Sequence, residues 1–367
     1  MAAAPRENTH TVVGNPELLE RLDRDIRGGR LSHAYILDGK KGSGRHTIAR
    51  HILAAIACEN RPGQAMTHRD EDQMGFFDLL DDAPPPPREI PADAPLPCWE
   101  CPACEKIAED KCPDVHIIGR DGKASIGVDA IRFLRSDVLI PPNDLDTKIY
   151  IIEDAETMTV QAQNALLLTL EEPPPYVLFL LLCDGADHLL ETIRSRAPVL
   201  RTRPIPDDDI RAYLRACRCT LSDEDLEAVI LRADGCIGQA LTLSDARAVK
   251  PILKMRETCD EFMGVMSARR YDHLPAVLTH FGNKRDGVLE LLALITLATR
   301  DLILLRHGDG VKLKYYTDRS GAEELACRFT TKSLLNLYSA LERAAEALSA
   351  NGNIRLVLMG LAVELGA

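Results

Sequence analysis

Ala34-Tyr35-Ile36-Leu37-Asp38-Gly39-Lys40-Lys41-Gly42-Ser43-Gly44-Arg45-His46-Thr47 is the stretch that sets the fold class. An apolar run at 34–37 opens it, glycines punctuate it, and residues 48–57 continue it with helical spacing. A strand that passes through a glycine-rich turn into a helix is the frame of a P-loop, in which backbone N–H groups close around phosphates at a helix N-terminus. Gly39, Gly42 and Gly44 keep that frame, but its chemistry is altered. Arg45 stands where the loop wants lysine, and His46 where it wants a Ser or Thr hydroxyl for magnesium. A guanidinium is a planar fork, not a compact charge, and imidazole is a poor ligand for a hard cation. Thr47 comes one residue late, which turns its hydroxyl by about 100° around the helix. ATP and Mg²⁺ are therefore poorly provided for. Three readings stay open: a glycine-rich turn without ligand, a site that holds phosphate without hydrolysis, and a working ATPase.

Working outward, short apolar runs at 115–118, 149–152, 177–182 and 198–200 alternate with helix-like segments, the rhythm of an α/β domain with a mainly parallel sheet. After Ile205 the strand-like runs stop. Residues 207–216, 222–233 and 238–246 read as three short helices, and longer ones follow, such as 287–306 and 332–348. Boundaries near Arg203 and Ala248 divide the chain into an α/β domain (1–203), a small helical domain (204–248) and an all-α C-terminal domain (249–367). Glu153 and Asp154 follow the 149–152 strand. An ATPase of this kind ends that strand with a metal-positioning Asp and then a water-orienting Glu, so the order here is reversed.

A length of 367 residues with 46% apolar content suits two or three domains. No apolar run reaches the roughly 18 residues of a membrane span, and residues 1–11 lack the apolar core of a secretory signal. The expectation is a soluble, cytoplasmic protein with no membrane partner. Eleven scattered cysteines without an export signal point to reduced thiols or metal ligands. The net charge of −12 argues against a protein coated by DNA; contact with a strand would need a local basic patch or oriented amides.

Residues 60–97 break the rhythm. Asp70-Glu71-Asp72, Asp81-Asp82 and the prolines 84–87 resist compact folding, and the segment reads as a mobile insertion. Behind it, in the region 98–112, Cys98-Trp99-Glu100-Cys101-Pro102-Ala103-Cys104 holds two overlapping Cys-x-x-Cys steps. That spacing lets thiolates from a tight turn converge on one tetrahedral zinc. A fourth ligand is needed, and Cys58 and Cys112 are both candidates. Four cysteines with no open position make a structural Zn²⁺ site; the alternative is structural or redox thiols.

Val13-Gly14-Asn15, Gly29-Arg30-Leu31-Ser32-His33-Ala34-Tyr35 and the P-loop frame resemble the opening of bacterial clamp-loader subunits of the AAA+ type. Gln161-Ala162-Gln163-Asn164-Ala165-Leu166-Leu167 and Thr169-Leu170-Glu171-Glu172-Pro173-Pro174 resemble the same family's most recognisable stretch. Physically this is an amphipathic helix stopped by prolines, with Ala162, Ala165, Leu166, Thr169 and Leu170 on one face. The resemblance covers about the first 245 residues. Within the family the altered P-loop looks like delta-prime, not the ATP-hydrolysing gamma/tau subunit. Gly238 agrees, standing in Gly235-Cys236-Ile237-Gly238-Gln239 where the hydrolysing subunit has a nucleotide-sensing arginine. Leu168 departs from both, since lysine is usual there.

The resemblance implies site residues and partners. Thr192-Ile193-Arg194-Ser195-Arg196-Ala197 is similar to the family's Ser-Arg-Cys motif, with alanine in the packing position of the cysteine. In such subunits that arginine, Arg196 here, reaches ATP bound by a neighbour and acts in trans; the alternative is a surface arginine paired with an acid or covering apolar surface. The resemblance also favours Cys58 over Cys112 as fourth zinc ligand, 204–248 as a lid and 249–367 as an oligomerisation collar. Implied partners are gamma/tau and delta in a hetero-pentamer of bacterial DNA polymerase III, the sliding clamp, and primed DNA through the complex. Gln73-Met74-Gly75-Phe76-Phe77 resembles the peptide by which bacterial proteins dock into the clamp; the bland reading is that Phe76 and Phe77 fold back onto this chain. Two rival readings remain: a gamma/tau-like motor using Arg45, marked by hydrolysis that Arg45→Ala abolishes, and a zinc-bearing DNA-binding scaffold, marked by salt-sensitive DNA binding without such partners.

Overall fold

A computed structural model describes residues 12–61, 91, 94–245, 247–308 and 313–366. Gln73, Met74, Phe76 and Phe77 lie outside the described residues. The chain divides into two compact units, Met1–Tyr213 with Gly235–Gln239, and Leu214–Asp234 with Ala240–Ala367.

The first unit is built on β1 (Ala34–Asp38), β2 (Val115–Ile118), β3 (Lys148–Ile152), β4 (Val177–Cys183) and β5 (Val199–Arg201). All pair in parallel, in the order β2-β3-β4-β1-β5. The apolar runs expected from the sequence are these strands. The four inner residues Ala34–Leu37 and the whole of β3 and β4 are buried, because central strands of a parallel sheet are covered on both faces. Alternation decides which core each side chain joins. Tyr35, Leu37, Ile149, Ile151, Leu178, Leu180 and Leu182 face one layer, while Ala34, Ile36, Tyr150, Ile152, Phe179 and Leu181 face the other. Helices α1 (Pro16–Arg27), α2 (Arg45–Ala57) and α3 (Pro102–Ala108) lie on the first side, and α4 (Val128–Asp137) and α5 (Val160–Glu171) on the second. A short α6 (Glu191–Arg194) precedes β5. This architecture brings Gly39, Glu153 and Asp184, each just past a strand, to one edge of the sheet.

Asp114 sets the loop that enters β3. Its buried carboxylate accepts the amides of Asn143, Asp144 and Leu145 at 2.6, 2.6 and 2.7 Å. Asp114→Ala leaves three amides unanswered and is expected to cost about 3 kcal/mol of stability in denaturant unfolding.

After α7 (Asp207–Ala216), helices α8 (Asp223–Ala233), α9 (Ile237–Leu243), α10 (Val249–Ser267), α11 (Leu274–Thr279), α12 (Arg285–His307), α13 (Arg319–Cys327), α14 (Thr331–Ser349) and α15 (Ile354–Leu365) follow. A large core of the second unit includes Phe262, Leu291, Ile295, Leu337, Leu341 and Leu361. Polar caps set its helix starts: Ser222 accepts the Asp225 amide, Thr330 and Ser333 cap each other reciprocally, and Asn353 accepts the Leu356 amide. Helix α9 ends three residues short of the expected 246. Among the described residues no helix is long and apolar enough to cross a membrane.

Candidate functional site

Between β1 and α2 the chain makes a P-loop turn. Gly42 and Gly44 take φ of +88° and +90°, a region that favours glycine. Close packing adds its own demand. A Cβ on Gly39 would lie 1.9 Å from Thr202 Oγ1, and one on Gly42 would meet Gln239 at 3.0 Å. The segment 235–239 lies against the loop: the Gly238 amide donates to the Gly42 carbonyl at 2.8 Å, and Gln239 Nε2 donates to the Lys41 carbonyl at 3.1 Å. A Cβ on Gly238 would stand 3.1 Å from Gly42 Cα. Gly238 is thus a backbone-to-backbone contact with the loop.

The chemistry beside the loop is closed in on itself. His46 Nδ1 lies 3.4 Å from Glu153 Oε1, and Asp154 is held by Arg120 Nη2 at 2.8 Å. The acidic pair at the end of β3 is therefore engaged by protein side chains, Asp154 by a cation and Glu153 by an imidazole that burial holds below its ordinary pKa. Arg45 is buried, and among the described residues nothing accepts a hydrogen bond from its Nη1. The Lys41 amide points to Asp184 Oδ2 at 3.4 Å.

Arg196 follows α6 at the surface of the first unit. Its Nη2 pairs with Glu171 Oε1 at 2.6 Å, and its Nη1 donates to the Thr192 carbonyl at 2.9 Å. Arg194 pairs with Asp187 at 2.9 Å. Ala197 is fully buried, the packing position expected for it. The start of α6 is tied to α5 by buried Gln163, which accepts the Leu190 amide at 2.8 Å and donates to the Met158 carbonyl at 3.2 Å. On α5 the buried residues are Ala162, Gln163, Leu166, Thr169 and Leu170; Ala165 is half-buried and Leu168 exposed. Nothing in the structure explains leucine at 168.

The cysteines converge. Cys58 ends α2, Cys101 caps α3 and Cys104 sits in its first turn, with Pro102 at the helix start, where a missing N–H costs nothing. The sulfurs of Cys58, Cys98, Cys101 and Cys104 all lie within 4.8 Å of one another, Cys98 and Cys104 at 4.0 Å, and Cys112 is not in the group. A metal–sulfur distance near 2.3 Å sets tetrahedral thiolates about 3.8 Å apart, so the donor set fits and could hold a metal ion. The Glu100 amide lies 3.5 Å from Cys98 Sγ. Hydrogen bonding from Cys104 pulls the Cys58 thiol down to about 5, and the same bond pushes the Cys104 thiol up. Burial raises Cys101. The Cys58 thiol is thus the one most ready to ionise, and Cys101 and Cys104 gain most from a cation that replaces their protons.

Of the residues singled out in sequence, Gly39, Gly42, Gly44, Arg45, His46 and Thr47 form the loop and the start of α2, with Glu153 and Asp154 at the adjoining sheet edge. Cys58 meets the three knuckle cysteines although 40 residues separate it from Cys98. Sequence reasoning missed Arg120, Asp184, Glu171 and Thr202. Each acts through a contact of at least 25 residues' separation, which no local pattern signals.

A parallel five-stranded sheet with a P-loop frame after β1, acidic residues after β3 and an arginine before β5 is an α/β domain of the AAA+ type. A family profile described as "DNA polymerase III, delta subunit" matches residues 14–73 and 89–206. The DNA polymerase III subunit delta' of Bacillus subtilis is 24% identical over 95% of this chain and 95% of its own. The DNA polymerase III subunit tau of the same organism is 29% identical over 64% of this chain and 36% of its own, and the gamma subunit of Buchnera aphidicola 28% identical over 63% and 56%. The chain therefore spans well under two thirds of these tau and gamma relatives. A DNA polymerase III gamma subunit-related protein of Thermotoga maritima has a solved structure covering 95% of this chain and 98% of its own, at 19% identity and a TM-score of 0.41. The chain belongs to the DNA polymerase III delta-prime/gamma-tau clamp-loader family.

Proposed function

We propose that this chain is the delta-prime-like subunit of its clamp loader: it assembles with gamma/tau and delta, helps place the sliding clamp on primed DNA, hydrolyses no ATP itself, and offers Arg196 to ATP held by a neighbour. The observation that carries this reading is the closure of the catalytic edge. A hard cation at the loop would need a hydroxyl and a free carboxylate. His46 and Glu153 instead face each other at 3.4 Å, and Asp154 is paired with Arg120. Gly238 leaves the sensing position without a cation. The match to the delta' relative along 95% of both chains supports the same assignment. Residues 204–248 would serve as lid and 249–367 as collar.

The four cysteines would hold one structural Zn²⁺. A closed set of four sulfurs leaves no position for substrate, so the ion would tie the end of α2 to the knuckle and take no part in a reaction. Buried Arg45, with an unanswered donor, suits a phosphate oxygen, which supports retention of a phosphate without turnover.

The test is hydrolysis by the isolated chain with ATP and Mg²⁺. Turnover is expected to stay at background and to be unchanged by Arg45→Ala. A steady rate that disappears with Arg45→Ala would make the chain a gamma/tau-like motor.

A further inference from the structure

We infer that Glu171 is a latch for Arg196: its carboxylate parks the guanidinium against the end of α5, and release from it is the step that frees the arginine for a neighbour's nucleotide. This rests on the proposed trans role of Arg196.

Three contacts hold the side chain, of which the Nη1 bond to the neighbouring Ser195 Oγ is the longest at 3.4 Å. The Nη1–Thr192 bond is local, since Thr192 lies four residues back on the same turn. The Nη2–Glu171 pair, at 2.6 Å, reaches instead to another helix. Glu171 is the last residue of α5, and prolines 173–175 end the helix there. The carboxylate therefore adds to the partial negative charge of a helix C-terminus, and both attract a cation. The position of α6 does not depend on this pair, because buried Gln163 already ties Leu190 to α5. What Glu171 governs is the guanidinium alone.

The pair has the properties a releasable latch needs. Both side chains are partly exposed, at 35% and 45%, and an ion pair of that kind is weak. A triphosphate presents more negative charge than one carboxylate and can displace it. While paired, however, the arginine has its charge offset and its outer nitrogens occupied, which lowers the fraction available to a phosphate.

The experiment is steady-state ATP hydrolysis at saturating ATP by the reconstituted loader, carrying this chain as wild type, Glu171→Gln, Arg196→Ala or the double variant. Glutamine keeps the shape and removes the charge. Glu171→Gln is expected to raise kcat by roughly two- to fivefold, the Boltzmann factor of an exposed pair. The gain should shrink as salt screens the wild-type pair, with assembly and the Tm of the isolated chain unchanged. In the Arg196→Ala background Glu171→Gln should change nothing. A rate that is unchanged or lower in Glu171→Gln, while Arg196→Ala is impaired, overturns the latch and leaves the trans role standing. A gain that persists without Arg196 also overturns it. A loader indifferent to Arg196→Ala removes the trans role and the latch together.

Discussion

Arg196→Ala in the reconstituted loader, with clamp and primed DNA, should lower ATP hydrolysis by on the order of 10³-fold at the site that receives the arginine, about 4 kcal/mol of transition-state stabilisation. The basis is electrostatic. Charge on the γ-phosphoryl oxygens grows along the reaction, and a guanidinium delivered into a site from which water is excluded stabilises that charge without reorganising. Any other ATP sites in the complex would continue to turn over, so the bulk rate should fall less than the rate at the affected site; single-turnover measurement separates the two. Arg196 is a surface residue, so its removal costs the isolated chain little: the lost pair with Glu171 is worth roughly 0–1 kcal/mol. Assembly should persist. Arg194→Ala is the internal comparison. Its guanidinium pairs with Asp187 and has a buried Nε, so it acts within the subunit, and its replacement should move Tm more than turnover. Unchanged hydrolysis in Arg196→Ala would reduce this arginine to a surface ion pair.

Removal of the metal is the second large effect. Elemental analysis of the purified chain should find one zinc per molecule, and Cys58→Ser or Cys104→Ser should release it. Cys58 is the informative position, since it alone comes from α2 while the other three belong to one short stretch. A bound ion would fasten the knuckle to the end of the P-loop helix. Without it, four crowded sulfurs lose their shared cation and the segment around α3 retains a small apolar contact, including Ala103 and Ile107. Structural zinc can contribute on the order of 10 kcal/mol to a small module. Here the knuckle packs beside an apolar sheet core that includes Leu178, Leu180 and Leu182, so the expected loss is several kcal/mol, confined to the knuckle and the end of α2 and read by amide exchange. Cys112→Ser should retain the metal. Acid should release it: Cys101 and Cys104 hold their protons more tightly than ordinary thiols, so protons compete with the ion increasingly as pH falls. Metal content that is unaffected by Cys58→Ser would take Cys58 out of the ligand set.

Much of this protein was legible along the chain. A continuous apolar run means a strand covered on both faces, so β1, β3 and β4 could be located from composition alone, and glycine spacing placed the loop between β1 and α2. Overlapping Cys-x-x-Cys steps announced three of the four clustered sulfurs. These signals are local: each depends on backbone conformation or side-chain period over a few residues. The choice between Cys58 and Cys112 had no such signal, and the resemblance to a family, not the spacing, favoured Cys58.

The amino-acid sequence by itself determined the α/β class, the altered P-loop positions Arg45 and His46, and the knuckle, because substitutions at fixed offsets carry their chemistry with them. Only the tertiary structure decided what those residues meet. His46 faces Glu153, Arg120 takes Asp154, Gly238 lies on Gly42, and Glu171 holds Arg196. Parallel strands joined by crossovers bring distant segments to one edge of the sheet, and side-chain partners there are chosen by the packing of whole elements, which no local pattern encodes.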